Sequence, residues 1–191
     1  MKRSFGRRLS IAVALLAVGG TAMLWRYADA SFSGKATNGA NALTTGSVTL
    51  SNSSTSPVIN VSGPIPGSYG TSCLTTTYTG SLPAEVRLYL PASGLSGSLG
   101  SYLTLQIKES TGSCAGFTST ATLYNPNDLN ATAYTVAAFS AASNSYATGV
   151  SRWIATTSAT RSYQFNWQLQ DDNIMTSKSA TIAFTWEARS T

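Results

Sequence analysis

Apolar and polar residues alternate along the chain in short runs, which is the period of strands with one buried face. In Glu85-Val86-Arg87-Leu88-Tyr89-Leu90 the alternation puts Val86, Leu88 and Leu90 on one side and Glu85, Arg87 and Tyr89 on the other. The run at 102–109 turns Leu103, Leu105 and Ile107 inward and is the expected partner of the first. Tyr163-Gln164-Phe165-Asn166-Trp167-Gln168-Leu169 alternates Tyr163, Phe165, Trp167 and Leu169 with three amides. The run at 180–188 returns with Ile182, Phe184 and Trp186 on one face, so the two aromatic-lined runs are expected to be neighbours. Shorter alternations at 46–50, 58–61, 73–78 and 118–124 raise the expected strands to seven or eight. Gly63-Pro64-Ile65-Pro66-Gly67 is a turn cluster, and the Gly/Ser-rich interval at 92–101 reads as a loop. Residues 131–153 are alanine-rich but interrupted by serines and a glycine, and read as a short helical or irregular crossover.

Without a βα rhythm, these elements predict an all-β fold: an antiparallel β-sandwich of jelly-roll or Greek-key type. Phe117, Tyr134, Phe139 and Trp153 are expected to help fill the space between its sheets. The amino terminus is patterned differently. Lys2, Arg3, Arg7 and Arg8 precede an apolar run at 11–24, and Ala28-Asp29-Ala30 follows as a small-x-small triplet. This is the layout of an export-signal helix at 1–30 with cleavage after Ala30 by a signal peptidase; retention as an anchor and a twin-arginine route are the alternatives. The expected organisation is thus a signal peptide at 1–30, a flexible arm at 31–45 and the sandwich at 46–191. The expected location is secreted or at the cell surface, membrane-associated if the signal stays attached.

The leader changes the meaning of the charge. The whole chain has a formal net charge of +5, but five of its 12 basic residues lie in residues 1–30. The exported part therefore carries about +1, with its cations scattered singly, and no nucleic-acid surface is expected. Only 10% of all residues are charged and none is histidine, which removes imidazole catalysis and histidine-ligated zinc. No GxSxG or SxxK pattern activates a serine, and no carboxylate pair is brought together by spacing except Asp171-Asp172, read as a turn or at most a weak calcium site. The chain is not expected to be an enzyme or to need a cofactor. Cys73 and Cys114, 41 positions apart, are expected to form one disulfide in an oxidising compartment.

Several stretches carry a resemblance. They are Gly19-Gly20-Thr21 and Trp25 leading to Ala30-Ser31-Phe32; Asn41-Ala42-Leu43-Thr44-Thr45-Gly46-Ser47-Val48-Thr49-Leu50; Pro66-Gly67 before Tyr78-Thr79-Gly80-Ser81-Leu82-Pro83-Ala84-Glu85-Val86-Arg87-Leu88-Tyr89; and the run from Tyr163 through Asp171-Asp172-Asn173 to Phe184-Thr185-Trp186-Glu187-Ala188-Arg189. In these the chain resembles the camelysin and TasA-type family of exported Gram-positive surface and biofilm-matrix proteins, most closely its high-GC branch. The resemblance implies a jelly-roll subunit of extracellular fibres, self-associating through an N-terminal segment that completes a neighbour's sheet. Phe32, Asn41, Leu43, Val48 and Leu50 would be the donor residues. The alternative is a monomeric surface-attached adhesive or binding module. The metallo-endopeptidase activity that the family also carries is disfavoured by the missing histidines.

Overall fold

A computed structural model describes residues 33–36, 47–170 and 178–191, all within one compact unit, Ser33–Thr191. Twelve strands are described: β1 (Ser33–Ala36), β2 (Leu50–Asn52), β3 (Ile59–Ser62), β4 (Tyr69–Tyr78), β5 (Ala84–Tyr89), β6 (Leu95–Gly97), β7 (Leu103–Ser110), β8 (Ala121–Tyr124), β9 (Val150–Ala155), β10 (Ala159–Leu169), β11 (Ser179–Ile182) and β12 (Thr185–Ser190). The helix α1 (Val136–Ala142) is capped by the Thr135 hydroxyl, which accepts from the Ala138 N–H at 3.1 Å. Among the described residues no helix is long and apolar enough to cross a membrane. The expected signal at 1–30 lies outside them.

The strands form antiparallel sheets ordered β1-β12-β5-β9, β2-β4-β10-β7-β8 and β3-β11-β6, packed together as an all-β sandwich. The four- and three-stranded sheets are two halves of one ribbon, because β11 leads into β12 and β5 leads through a short turn to β6. The break falls at Ala183, whose N–H donates to the Gly94 carbonyl at 2.8 Å. A Cβ on Gly94 would stand 2.3 Å from the Ala183 carbonyl oxygen, so this close backbone approach requires glycine.

Between the layers lie Val86, Leu88, Leu90, Leu103, Leu105, Ile107, Tyr163, Phe165, Leu169, Ile182, Phe184 and Trp186, all buried. Phe139 and Trp153 are buried with them. Phe165 meets Phe184 at 4.5 Å between ring centroids and Tyr163 meets Trp186 at 5.5 Å. Aromatic pairs at such separations add about 1 kcal/mol each beyond their area burial. Cys73 and Cys114 form the disulfide, with 5.7 Å between Cα atoms, and tie β4 to the β7–β8 loop.

Several expectations are corrected. β5 and β7 do not pair: β5 lies between β12 and β9, and β7 between β10 and β8. Likewise β10 and β12 belong to different layers, and their aromatics meet across the core with tilted and edge-on rings. Alternation identifies which face of a strand is buried but not whether the facing residues come from its own sheet or the opposite one. The run at 180–188 is two strands, split where the chain follows the bend at Ala183. Strand β9 lies in the interval assigned to a crossover, and β6 lies inside the interval read as loop. Phe117 and Tyr134 are half-buried outside the core cluster, and Trp167 packs against its rim. Val48 and Leu50, named among the donor residues, are buried core residues of the sandwich.

Candidate functional site

The long strand formed by β11 and β12 has one side covered by two short segments placed end to end. β3 covers β11, with Ser62 opposite Ser179 and Ile59 opposite Ile182. β1 then covers β12, with Ala36 opposite Trp186 and Ser33 opposite Arg189. The arm therefore fills the stretch of edge that β3 leaves open. Phe32, Asn41 and Leu43 lie outside the described residues, so the strand-forming part of the arm that is placed is Ser33–Ala36.

The sequence favours this seam locally. Trp186 and Ala188 turn into the core, which holds β12 rigidly by burial. The other face of β12 carries Glu187 and Arg189, opposite Arg87 and Glu85 of β5. Glu85 accepts from Arg87 through two bonds, at 2.9 and 3.1 Å. Arg87 also donates to the Tyr146 and Ala147 carbonyls, each at 3.2 Å. The Tyr146 ring takes both guanidinium groups against it, Arg87 at 4.7 Å and Arg189 at 4.1 Å from its centroid. Glu187 accepts from Tyr89 at 2.7 Å and from Arg189 at 2.9 Å. In register, Glu187 also stands opposite Lys35 of β1.

The electrostatics follow from these contacts. The hydrogen bond and charge of Arg87 hold the Glu85 carboxyl below the usual carboxylate range. The same pairing raises Arg87. Burial first, and the Glu187 carboxylate second, push the Tyr89 phenol well up, so it stays a proton donor. Tyr146 is raised by burial and then by Glu85. The arrangement is a set of fixed, internally neutralised charges beside an edge, suited to defining strand register.

A second polar cluster lies inside the sandwich. The register shift between Val86 and Leu88 marks a β-bulge in the β5–β9 pairing, and Ser151 adopts a left-handed backbone there, φ 58°. Its hydroxyl donates to Glu109 Oε2 and lies 2.9 Å from the Tyr163 hydroxyl. A serine hydroxyl has one proton, so Tyr163 must donate to Ser151. Arg161 Nε is 3.7 Å from Glu109 Oε1, an ion-pair distance beyond hydrogen-bond reach. Burial is the main cause that raises the Tyr163 phenol. Ser151, Glu109 and Tyr163 are all buried, so this hydroxyl and carboxylate cannot meet a substrate without opening the sandwich.

The sequence reading missed Ser151, Tyr146 and the inward turn of Glu109. Parity along β7 was the available signal, since Glu109 continues the row of Leu103, Leu105 and Ile107. Asp171 and Asp172 lie outside the described residues. The chain has no histidine, and among the described residues no group of three His, Cys, Asp or Glu side chains is placed to hold a metal ion. Among the described residues the donor set does not fit a zinc peptidase centre. No protein-family model matches the chain, and no curated protein matches it.

Proposed function

We propose that the chain is a secreted structural subunit of cell-surface or extracellular-matrix fibres, joined copy to copy by strand addition, with β1 of one subunit on β12 of the next. The observation that carries this reading is the pairing of β1 with the part of the β11–β12 edge that β3 does not cover. The bonds of such a seam are main-chain bonds, indifferent to which copy supplies the arm. Thirteen residues, 37–49, separate β1 from β2. Fully extended they span up to about 45 Å. Exchange of the arm between copies conserves the contacts made, so its balance depends on subunit concentration and linker conformation. The near-neutral exported part weakens repulsion between copies.

The test compares the chain beginning at Ser31 with one lacking residues 31–45, each followed by negative-stain microscopy as concentration rises. The expected outcome is filaments from the first only, with growth blocked by excess synthetic peptide 31–45. Monomers from both, or filaments from both, would sink the proposal.

A further inference from the structure

The outer face of the five-stranded sheet carries a feature that strand addition does not use. Register across β4, β10 and β7 sets Tyr69, Gln168 and Thr104 in one row and Thr71, Asn166 and Gln106 in the next. The second row is bonded end to end. Thr71 donates to Asn166 at 2.9 Å, Asn166 donates to Gln106 at 3.2 Å, and Gln106 donates to the Asn127 carbonyl at 2.7 Å. The first row is not closed in this way. Tyr69 is 80% exposed, and the Gln168 amide makes no hydrogen bond among the described residues.

At this open row the sheet meets a cavity of ≈ 160 Å³, walled by Gly67 of the β3–β4 turn and by Leu129, Asn130 and Thr132 of the β8–α1 loop, with Gln168 and Gln170 on the sheet side. Gly67 takes φ 77°, a left-handed turn residue that no Cβ-bearing side chain adopts readily. None of the described lining residues is charged. Among the described lining residues an anionic ligand would find no lysine or arginine, and a cation no carboxylate. A purely apolar ligand would bury the Gln168 amide and Thr132 hydroxyl without partners, which is costly. A neutral polyhydroxyl ligand satisfies both, because each hydroxyl donates and accepts. Tyr69, opposite the lining residue Gln168 in register and exposed, supplies a flat ring for the C–H face of an adjoining sugar. The volume is below the roughly 300 Å³ at which drug-sized sites begin, which suits one ring of a longer chain.

We propose that this cavity is a subsite for one ring of a neutral glycan, with Gln168 bonding its hydroxyls and Tyr69 stacking on the next ring. It is independent of the assembly reading, since it involves neither β1 nor β12. The test is native gel electrophoresis of the full chain, with and without its leader, through gels containing dextran, mannan or hydroxyethylcellulose, with hyaluronate as a charged control. Retardation is expected in at least one neutral gel. Y69A and Q168A should each raise the apparent dissociation constant about tenfold, the loss of one well-placed contact. Both variants should keep the parent's urea midpoint, as neither side chain is part of the core. The proposal is overturned by no retardation in all three neutral gels, by retardation that both variants retain, or by retardation in hyaluronate alone.

Discussion

Replacing Ser151 with alanine removes the middle member of a buried relay, and the structure predicts how unequal the consequences are along it. The Tyr163 hydroxyl donates to Ser151, and Ser151 donates to Glu109. In S151A the carboxylate loses a charge-assisted bond, worth about 1.5–3 kcal/mol, and the Tyr163 O–H is left as a buried donor at about 1–3 kcal/mol. Partial relaxation makes about 3 kcal/mol the expected loss. In Tyr163→Phe the donor disappears with its bond, and only a serine lone pair goes unpaired, so about 1 kcal/mol is expected. The left-handed backbone at Ser151 is common to parent and alanine variant and does not bias the comparison. Urea unfolding with unchanged m-values measures both. The reasoning is refuted if Y163F costs as much as S151A, because the direction of donation derived above would then be wrong.

Other outcomes follow from the same contacts. Replacing Cys73 and Cys114 together with serine should cost roughly 4 kcal/mol by the loop-entropy relation, read as a lower urea midpoint; a loss under about 1 kcal/mol would show that the β7–β8 loop is held without the bridge. The folded-state pKa of Glu85 is depressed, so its contribution is present above the ordinary carboxylate range and lost as pH falls through the folded value. Glu85→Gln should therefore flatten the acid limb of the stability profile and leave its neutral-to-alkaline part parallel to the parent; an unchanged acid limb would contradict this. Tyr146→Ala removes the ring between Arg87 and Arg189 and should destabilise by about 1–2 kcal/mol in thermal melts at low salt, and by less at high salt.

Strand faces were legible from alternation alone: Val86, Leu88, Leu103, Leu105, Tyr163, Phe165 and Trp186 are inward as their parity requires. Pairing was not. Tyr163 and Trp186 share the core from opposite sheets, and the residues that decide this are the backbone bonds around Gly94 and Ala183, which leave no periodic mark. Polar residues with inward duties were equally hidden, since Ser151 in a serine-rich interval looks like any other serine until a bulge aims it at Glu109. The candidate edge was half legible. The arm's position in the chain suggested a donor strand, but Val48 and Leu50 belong to the sandwich, and the placed arm is Ser33–Ala36.

The register itself offers the most direct test of strand addition. Ser33 stands opposite Arg189 across the β1–β12 pair, and the native cysteines are already bonded to each other. Two single variants, Ser33→Cys and Arg189→Cys, are mixed, allowed to assemble and mildly oxidised. A disulfide between them can then form only when the arm of one copy lies on β12 of another. The account predicts a covalent S33C–R189C dimer, reducible and confined to the filament fraction. Filaments without that cross-link, while a chain carrying both substitutions closes the bridge within itself, would contradict it.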